Sequence, residues 1–254
     1  MHHAQPKIFL EGIEIMIAME QRVPGLQTEG SDQVDGSFDV ALERMLHTPD
    51  RELYFLNSIN PFRLEGQKTA MFEMLEQLGW EAPDYVIVPG GNLGNTSAFG
   101  KAFLELQKAG LLGKVPRLIV VQAEGANPFA QLWRSGSSEL TPVEQPETAA
   151  TAIRIGNPRS WKKALRAVRH SNGFVMDVTD EEIAEAKAMI GRDGIGCEPA
   201  SATTLAGLRK LVARGKIDRD ATVVAILTGH VLKDTDFIIR SQRLEHGLQG
   251  EVQA

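Results

Sequence analysis

The sequence predicts an α/β fold in which a three-layer parallel sheet carries helices on both faces. From about residue 38 onward, short apolar runs rich in β-branched residues alternate with stretches of helical periodicity. The apolar runs are continuous and do not alternate with polar residues, which is typical of strands that are buried on both faces. An alternation of such strands with helices indicates a parallel sheet with helices as crossovers.

The predicted elements follow one another along the chain in this pattern. Strands are predicted at residues 53–56, 85–88, 117–121, 174–176 and 221–227. Helices are predicted at residues 64–78, at 96–112 with Gly113 as the stop, after Asn127-Pro128, from Thr179, and at 199–215. Thr179 and Glu182 have the spacing of a capping box. Residues 137–149 contain two prolines and predict a surface loop.

Composition excludes several classes of function. With 254 residues, 43% hydrophobic and 24% charged, the chain has the composition of a globular protein with a sizeable core. A net charge of −6 and the lack of a Lys/Arg block argue against nucleic acid as a partner. The six histidines form no metal-ligand spacing with a cysteine or a carboxylate. We therefore predict neither a nucleic-acid partner nor a metal.

The sequence also predicts a location. The single cysteine, Cys197, excludes a disulfide framework and indicates a reducing compartment. The apolar stretch at residues 13–17 has Glu11, Glu14 and Glu20 in or beside it, so it reads neither as a signal peptide nor as a membrane span. We therefore predict a cytoplasmic protein without a membrane partner.

The most informative segment is a strand, a glycine turn and a helix start at residues 85–96, with Gly-Gly-Asn-Leu-Gly-Asn at its centre. Glycine lets the backbone approach a ligand closely, and the first N–H groups of a helix have no intrahelical acceptor. Together with the helix dipole they favour an anion, for which phosphate is the natural choice. The glycine spacing matches neither a dinucleotide fingerprint nor a P-loop, and a tight turn with structural glycines remains the alternative.

Three more polar segments follow predicted strands or begin a predicted helix: residues 57–63, 197–202 and 228–230. Taken singly, each also fits a polar turn, and Ser201 fits a residue that merely begins a helix. Cys197 has no nearby histidine or asparagine, which favours a buried structural thiol. Ligands of parallel sheets collect at the carboxyl ends of the strands. Several polar segments at these positions therefore predict one shared crevice.

Read together, these segments resemble threonine synthase, a family of pyridoxal-phosphate enzymes of the tryptophan-synthase-β fold type. The matching stretches are residues 34–39, 57–69, 89–95, 156–161, 197–202 and 228–230. The resemblance implies a fold type II enzyme that uses pyridoxal phosphate and water to convert O-phosphohomoserine into threonine and phosphate, in threonine biosynthesis. It also implies a possible homodimer, although no segment locates an interface.

The resemblance implies a role for each site residue. The residues of the cofactor-phosphate loop are Gly91, Asn92, Leu93, Gly94 and Asn95. Thr228 corresponds to the hydroxyl that faces the pyridine nitrogen, where the family uses a neutral partner. The residues that hold the phosphate of the substrate are Asn57, Ser58 and Arg63, with Asn92 near both groups.

The chain departs from the family pattern because the segment with the Schiff-base lysine is missing. The Ser-Phe-Lys-Asp segment that carries the Schiff-base lysine does not occur in it, so no catalytic residue is assigned. Lys68 and Lys101 are predicted on exposed helix faces, and Lys233 in a loop. Val231 stands where the family often has glycine, and a β-branched residue resists a positive φ, so this turn is expected to differ.

These departures predict an incomplete site. Residues 1–35 are interpreted as a remnant of a preceding domain and residues 36–254 as the domain that binds the cofactor phosphate. We expect a truncated threonine synthase that is inactive alone. The alternatives are a non-catalytic module that binds pyridoxal phosphate or phosphate, and a related enzyme such as cysteate synthase.

Overall fold

A computed structural model describes residues 60–218, 220–235 and 237–239, with positions 43 and 47. The strands are β1 Tyr85–Pro89, β2 Arg117–Ala123, β3 Phe174–Val178 and β4 Val223–Ala225. The helices are α1 Pro61–Gln67, α2 Thr69–Gln77, α3 Gly94–Lys108, α4 Pro128–Ser135, α5 Trp161–His170, α6 Asp180–Arg192 and α7 Pro199–Ala213. Short 3-10 helices are Glu124–Ala126, Thr151–Ile153 and Val231–Lys233.

The four strands form one parallel sheet in the order β3-β2-β1-β4. The chain runs from β1 outward through β2 and β3, and then returns to place β4 on the other side of β1. Strands β1 and β4 therefore flank the point at which the direction of winding reverses. In open α/β sheets this is where ligands bind, beyond the carboxyl ends of the strands.

Helices cover both faces of the sheet. Alternate strand residues contribute to two separate cores, so that Val86 and Val88 of β1 face one core and Ile87 faces the other. Helices α3 and α5 contribute to the first core, and α6 and α7 to the second. Because both faces are covered, the strands read as continuous apolar runs. The predicted α/β class and parallel sheet are confirmed.

Three predicted boundaries are wrong. The helix predicted at residues 64–78 is two helices, since the Thr69 hydroxyl donates to Gly66 O (2.7 Å) at the break between α1 and α2. Helix α3 starts at Gly94 and ends at Lys108, before Gly113, because Gly110 adopts a φ of +72° and reverses the chain. The strand predicted at 221–227 is limited to Val223–Ala225, which pairs with Tyr85–Ile87 of β1.

Other predictions match the structure or concern residues outside its described part. The capping box at Thr179 and Glu182 is present in both directions, at 3.2 and 2.9 Å. Residues 137–149 form a largely exposed connection without a helix or strand. The strand predicted at 53–56 and the domain boundary predicted after residue 35 lie outside the described residues. Within the described part of the chain, no helix has both the length and the apolar character that crossing a membrane requires.

Candidate functional site

The glycine turn after β1 is held by the neighbouring strand β2. Gly90 N–H donates to Val121 O at 2.7 Å, and Gly90 O accepts from the side-chain amide of Gln122 at 2.9 Å. A Cβ atom at Gly90 would lie only 2.7 Å from Val120 Cγ1. Glycine is therefore required here by the close approach of β2, and the turn leaves the sheet in a fixed direction.

Helix α3 begins immediately beyond this turn. Leu93 adopts the left-handed conformation, with φ +64°, and turns the chain into the helix at Gly94. Ser97 N–H makes the first helical hydrogen bond, to Leu93 O at 3.1 Å. The N–H groups of Gly94, Asn95 and Thr96 precede that bond and have no intrahelical acceptor. The predicted strand, turn and helix start are thus present, with the positive end of the α3 dipole at the turn.

Three buried polar atoms at this helix start have no hydrogen-bond partner among the residues that the structure describes. They are Asn92 Nδ2, Asn95 Oδ1 and Thr96 Oγ1, and the Thr96 side chain is fully buried. Leaving a buried polar group without a partner costs about 1–3 kcal/mol. Oxygens of a phosphate group accept hydrogen bonds, so they suit the Asn92 amide and the Thr96 hydroxyl. The residues present therefore fit a phosphate.

Residues 157–160 hold the Asn92 side chain in one orientation. Its Oδ1 accepts the Arg159 N–H at 2.7 Å, and the Asn92 carbonyl accepts the Ser160 N–H at 3.3 Å. Since Oδ1 is engaged, Nδ2 is left as the donor. The sequence identifies residues 156–161 only as a stretch that matches the family and assigns them no contact. Their contact with the glycine turn depends on tertiary structure, and no local pattern indicates it.

A groove lined by basic side chains adjoins the same turn. It has a volume of about 470 Å³ and is lined by Asn157, Pro158, Arg159, Trp161, Lys162, Lys163 and Arg166. Four of these residues are basic and none is acidic, although the chain has a net charge of −6. Arg159 pairs with Glu43, and Lys162 lies 3.9 Å from Glu139. The positive potential beside Asn92, which favours an anionic ligand, therefore comes mainly from Lys163 and Arg166.

Of the predicted substrate-phosphate residues, Asn92 and Arg63 lie in the described part of the chain. Arg63 belongs to α1, which packs against α3, whereas Asn57 and Ser58 lie outside the described residues. The prediction that Lys68 lies on an exposed face is wrong. The Lys68 side chain is 19% exposed and pairs with Glu105 at 2.7 Å. Lys101, 40% exposed, pairs with Glu65.

Thr228 belongs to a compact polar cluster with Ser201 and Glu198. Ser201 Oγ accepts the N–H groups of Thr228 and Gly229, at 2.8 and 3.0 Å. The Thr228 hydroxyl donates to Glu198 Oε1 at 3.2 Å. Ser201 therefore connects α7 to the end of β4, a role beyond that of a helix-start residue. Its sequence position indicated only the helix start.

The glycine turn and Thr228 lie at the same edge of the sheet. Ala225 of β4 pairs with Ile87 of β1, and Ile226 N–H donates to Ile87 O at 2.9 Å. Neighbouring strands are about 4.8 Å apart, so the loops that leave β1 and β4 begin side by side. The loops that are predicted to share one crevice therefore leave the sheet at the point where it reverses its winding, and the crevice itself stays a prediction. Val231 keeps a negative φ and begins a 3-10 helix, as its β-branched side chain favours.

Cys197 is a buried thiol beside this cluster. Burial raises its pKa to about 11, while Lys187 lowers it and the Glu198 carboxylate raises it. The thiol is therefore protonated at neutral pH and is a poor nucleophile. The interpretation of Cys197 as a buried thiol agrees with this environment.

Known proteins are similar to this chain in sequence and in fold. One family, described as pyridoxal-phosphate dependent enzyme, matches residues 15–229. Threonine synthase of Methanocaldococcus jannaschii is 51% identical over 211 residues, covering 82% of this chain and 52% of the relative. Threonine synthase of Methanosarcina acetivorans is 50% identical over 209 residues, covering 81% and 51%. The chain thus spans about half the length of the curated relatives it matches.

Solved structures confirm the fold. Threonine synthase from Escherichia coli superposes with a TM-score of 0.67 at 22% identity, covering 89% of this chain and 53% of that one. Maize serine racemase gives a TM-score of 0.61 at 22% identity, covering 85% and 63%. At such identities the likeness supports the architecture alone. The predicted type II arrangement of a parallel sheet with helices on both faces is confirmed.

Proposed function

The chain belongs to the family of pyridoxal-phosphate-dependent enzymes, and on this premise we propose that it forms the phosphate-binding part of a threonine synthase. That reaction converts O-phosphohomoserine and water into L-threonine and phosphate. The relatives named threonine synthase, at 50–51% identity, support the choice of reaction. When bound, pyridoxal phosphate would supply an electron sink beside the reacting carbon atoms of the substrate.

The glycine turn is the part of the site that carries this proposal. Asn92 Nδ2 and Thr96 Oγ1 are buried donors that lack a partner among the described residues. They lie beside the free N–H groups of Gly94 and Asn95 at the start of α3. In the proposal these groups bind the cofactor phosphate, together with the backbone of Gly91 and Leu93. A bound phosphate would remove the cost of leaving the buried donors unpaired.

The remaining site residues are assigned by resemblance. In the proposal, Asn57, Ser58 and Arg63 hold the phosphate of the substrate, with Asn92 near both phosphates. Thr228 is assigned to the cofactor ring, and the loop after β4, which begins next to the glycine turn, supports this assignment. The basic groove beside Asn92 supports the proposal, since cofactor and substrate are both phosphate esters.

A specific observation favours a second candidate, a module that binds the cofactor without turnover. The Ser-Phe-Lys-Asp segment of the family is missing from these 254 residues. Lys68 and Lys101 are held in ion pairs with Glu105 and Glu65 on the surface between α1 and α3. We therefore expect this chain alone to bind pyridoxal phosphate and to release no phosphate from O-phosphohomoserine.

The binding experiment uses the purified chain, titrated with pyridoxal phosphate while tryptophan fluorescence is recorded. Replacement Asn92→Asp removes the amide donor and places a carboxylate beside the phosphate, and Thr96→Val removes the hydroxyl. Each variant is expected to weaken binding by about 10-fold to 100-fold, the value of a hydrogen bond to a charged group. The matched control Asn172→Asp changes an exposed residue at the end of α5 and should bind as the wild type does. Equal affinity of all four proteins would contradict the proposal.

The turnover experiment separates the two candidates. The chain is incubated with pyridoxal phosphate and O-phosphohomoserine, and inorganic phosphate is measured over time. Phosphate release that depends on the cofactor would support the complete enzyme in this chain and would reject the binding module. A homodimer and a cytoplasmic location also remain predictions, and sedimentation of the purified chain tests the first of them.

A further inference from the structure

Helix α5 has an unusual distribution of charge for a chain whose net charge is −6. Every exposed side chain of this helix is basic and none is acidic; the exposed residues are Lys162, Lys163, Arg166, Arg169 and His170. Like charges that lie three or four positions apart on a helix repel each other. An anion that binds to this face from outside the helix would therefore stabilise it.

The start of α5 departs from the usual preference as well. Carboxylates are favoured in the first turn of a helix, yet this turn has no acidic residue and carries Lys162 and Lys163. Ser160 precedes the helix without capping it through its side chain, and the first helical hydrogen bond runs from Ala164 N–H to Ser160 O at 2.9 Å. The N–H groups of residues 161–163 therefore have no intrahelical acceptor.

The groove of about 470 Å³ lies at this helix start, and none of its lining residues belongs to the glycine turn. Two of its basic residues, Arg159 and Lys162, have acidic partners. The other two, Lys163 and Arg166, form no ion pair within the described part of the chain. In addition, Arg159 Nε is buried and has no hydrogen-bond partner among the described residues. Two unpaired cations, N–H donors and space for a ligand thus occur together.

We propose that this groove is a second anion site, which binds a phosphate group at the start of α5. Phosphate oxygens accept several hydrogen bonds at once from cationic side chains and from the first N–H groups of a helix. Substrate and product of the proposed reaction both provide this group, as an incoming phosphate ester and as released inorganic phosphate. The site itself goes beyond the proposed function, and only the choice between these two sources rests on that function.

The position of the groove indicates what the second site does. Arg159 and Ser160, directly before α5, hold Asn92 through their N–H groups at 2.7 and 3.3 Å. A phosphate in the groove therefore lies next to the glycine turn without occupying it. Such a site raises the local concentration of phosphate-bearing ligands at the edge of the sheet where the proposed reaction takes place.

Equilibrium dialysis of the purified chain against radiolabelled inorganic phosphate at low ionic strength tests the inference. The groove variant Lys163→Gln/Arg166→Gln should bind one phosphate fewer per chain than the wild type, because losing two cations weakens this site by about tenfold or more. Asn92→Asp places a carboxylate at the glycine turn and should keep the groove site. The control Lys108→Gln/Arg192→Gln removes the same net charge from the last turns of α3 and α6, and should bind as the wild type does.

These proteins distinguish failure of the inference from failure of the proposed function. A groove variant that binds as much phosphate as the wild type would overturn the inference. Equal losses in the groove variant and in the control would also overturn it, since they would reflect net charge alone. A loss in the groove variant without any loss in Asn92→Asp would support the inference and count against the proposed function.

The Asn92→Asp chain also identifies the source of the phosphate. Unlabelled inorganic phosphate and O-phosphohomoserine are added separately to displace the bound label. Displacement at a lower concentration of O-phosphohomoserine assigns the groove to the incoming substrate, and displacement at a lower concentration of inorganic phosphate assigns it to the released product. If neither compound displaced the label, the binding would not be saturable and the inference would be overturned.

Discussion

The side-chain amide of Gln122 donates a 2.9 Å hydrogen bond to the carbonyl oxygen of Gly90 and thereby holds the glycine turn against the end of β2. The other end of the same side chain, Oε1, accepts the N–H groups of Phe129 and Ala130, both at 2.9 Å. Gln122 is fully buried. One side chain therefore joins a strand, the candidate phosphate loop and the start of α4.

Replacement Gln122→Met is expected to lower the free energy of unfolding by about 2–4 kcal/mol, because it leaves buried backbone groups without their partner. The measurement is urea unfolding followed by circular dichroism. Gln131→Met is the matched control, since Gln131 is exposed on α4 and its side chain, among the described residues, bonds only the side chain of Asn127. The control should change stability by less than about 1 kcal/mol. Similar losses in the two variants would show that Gln122 does not join these elements.

The packing of α3 on α5 gives a second prediction. A Cβ atom at Gly100 would lie 2.1 Å from Ala167 Cβ, whereas at Gly191 on α6 it would meet no atom within 4 Å. Gly100→Ala should therefore lower the free energy of unfolding by about 1–3 kcal/mol, because the helices must separate. Gly191→Ala should raise it by about 0.5–1 kcal/mol, since alanine favours a helix. Thermal or urea unfolding of both variants measures these changes in the free energy of unfolding. A Gly100→Ala variant that is more stable than the wild type would contradict this packing.

Cys197 gives a prediction on pH. Burial raises the pKa of its thiol from the ordinary 9.0 to about 11. Below pH 9 the thiol keeps its proton whether the chain is folded or unfolded, so its contribution to stability is complete. Between pH 9 and 11 the unfolded chain ionises first, which favours unfolding, and the contribution is lost as the pH passes about 11.

Urea unfolding of the wild type and of Cys197→Ala between pH 8 and 11 measures this contribution. The difference between the two proteins should change by about 2 kcal/mol across that range, in the direction of a less stable wild type at high pH. Lysine and tyrosine residues also titrate in this range, but their effect on the free energy of unfolding is the same in both proteins and cancels in the difference. Parallel pH profiles of the two proteins would contradict the raised pKa.

The glycine turn could be predicted from sequence because its signals are local. Strand periodicity, glycines and a helix start follow one another within residues 85–96. The bond from Arg159 to Asn92 joins residues 67 positions apart, and that from Gln122 to Gly90 joins residues 32 apart. Such contacts depend on how the elements pack, which periodicity does not encode. For the same reason, no role of Ser201 beyond the helix start could be predicted from the sequence.

The predicted strand boundary and the predicted exposure of Lys68 were wrong because a tertiary or side-chain interaction overrides the local preference. The apolar run at 221–227 predicts a long strand, yet β4 pairs only with three residues of β1 among the described strands. Lys68 appeared exposed by helical periodicity, but α1 lies against α3 and brings Glu105 to its ammonium group at 2.7 Å. Charge pairing between helices cannot be read from the pattern of one helix.

The basic groove beside Asn92 gives the last prediction. If its charge favours the phosphate group, the double variant Lys163→Gln/Arg166→Gln should bind pyridoxal phosphate about threefold to tenfold more weakly at low salt, because two nearby cations are lost. The difference should shrink at high salt, where ions screen charges beyond a few ångström. The control Lys108→Gln/Arg192→Gln removes the same net charge from the last turns of α3 and α6. Fluorescence titration at low and high salt measures all three proteins. An equal loss of affinity in the control would assign the effect to net charge, and a loss that salt does not reduce would point to a change in the fold around α5.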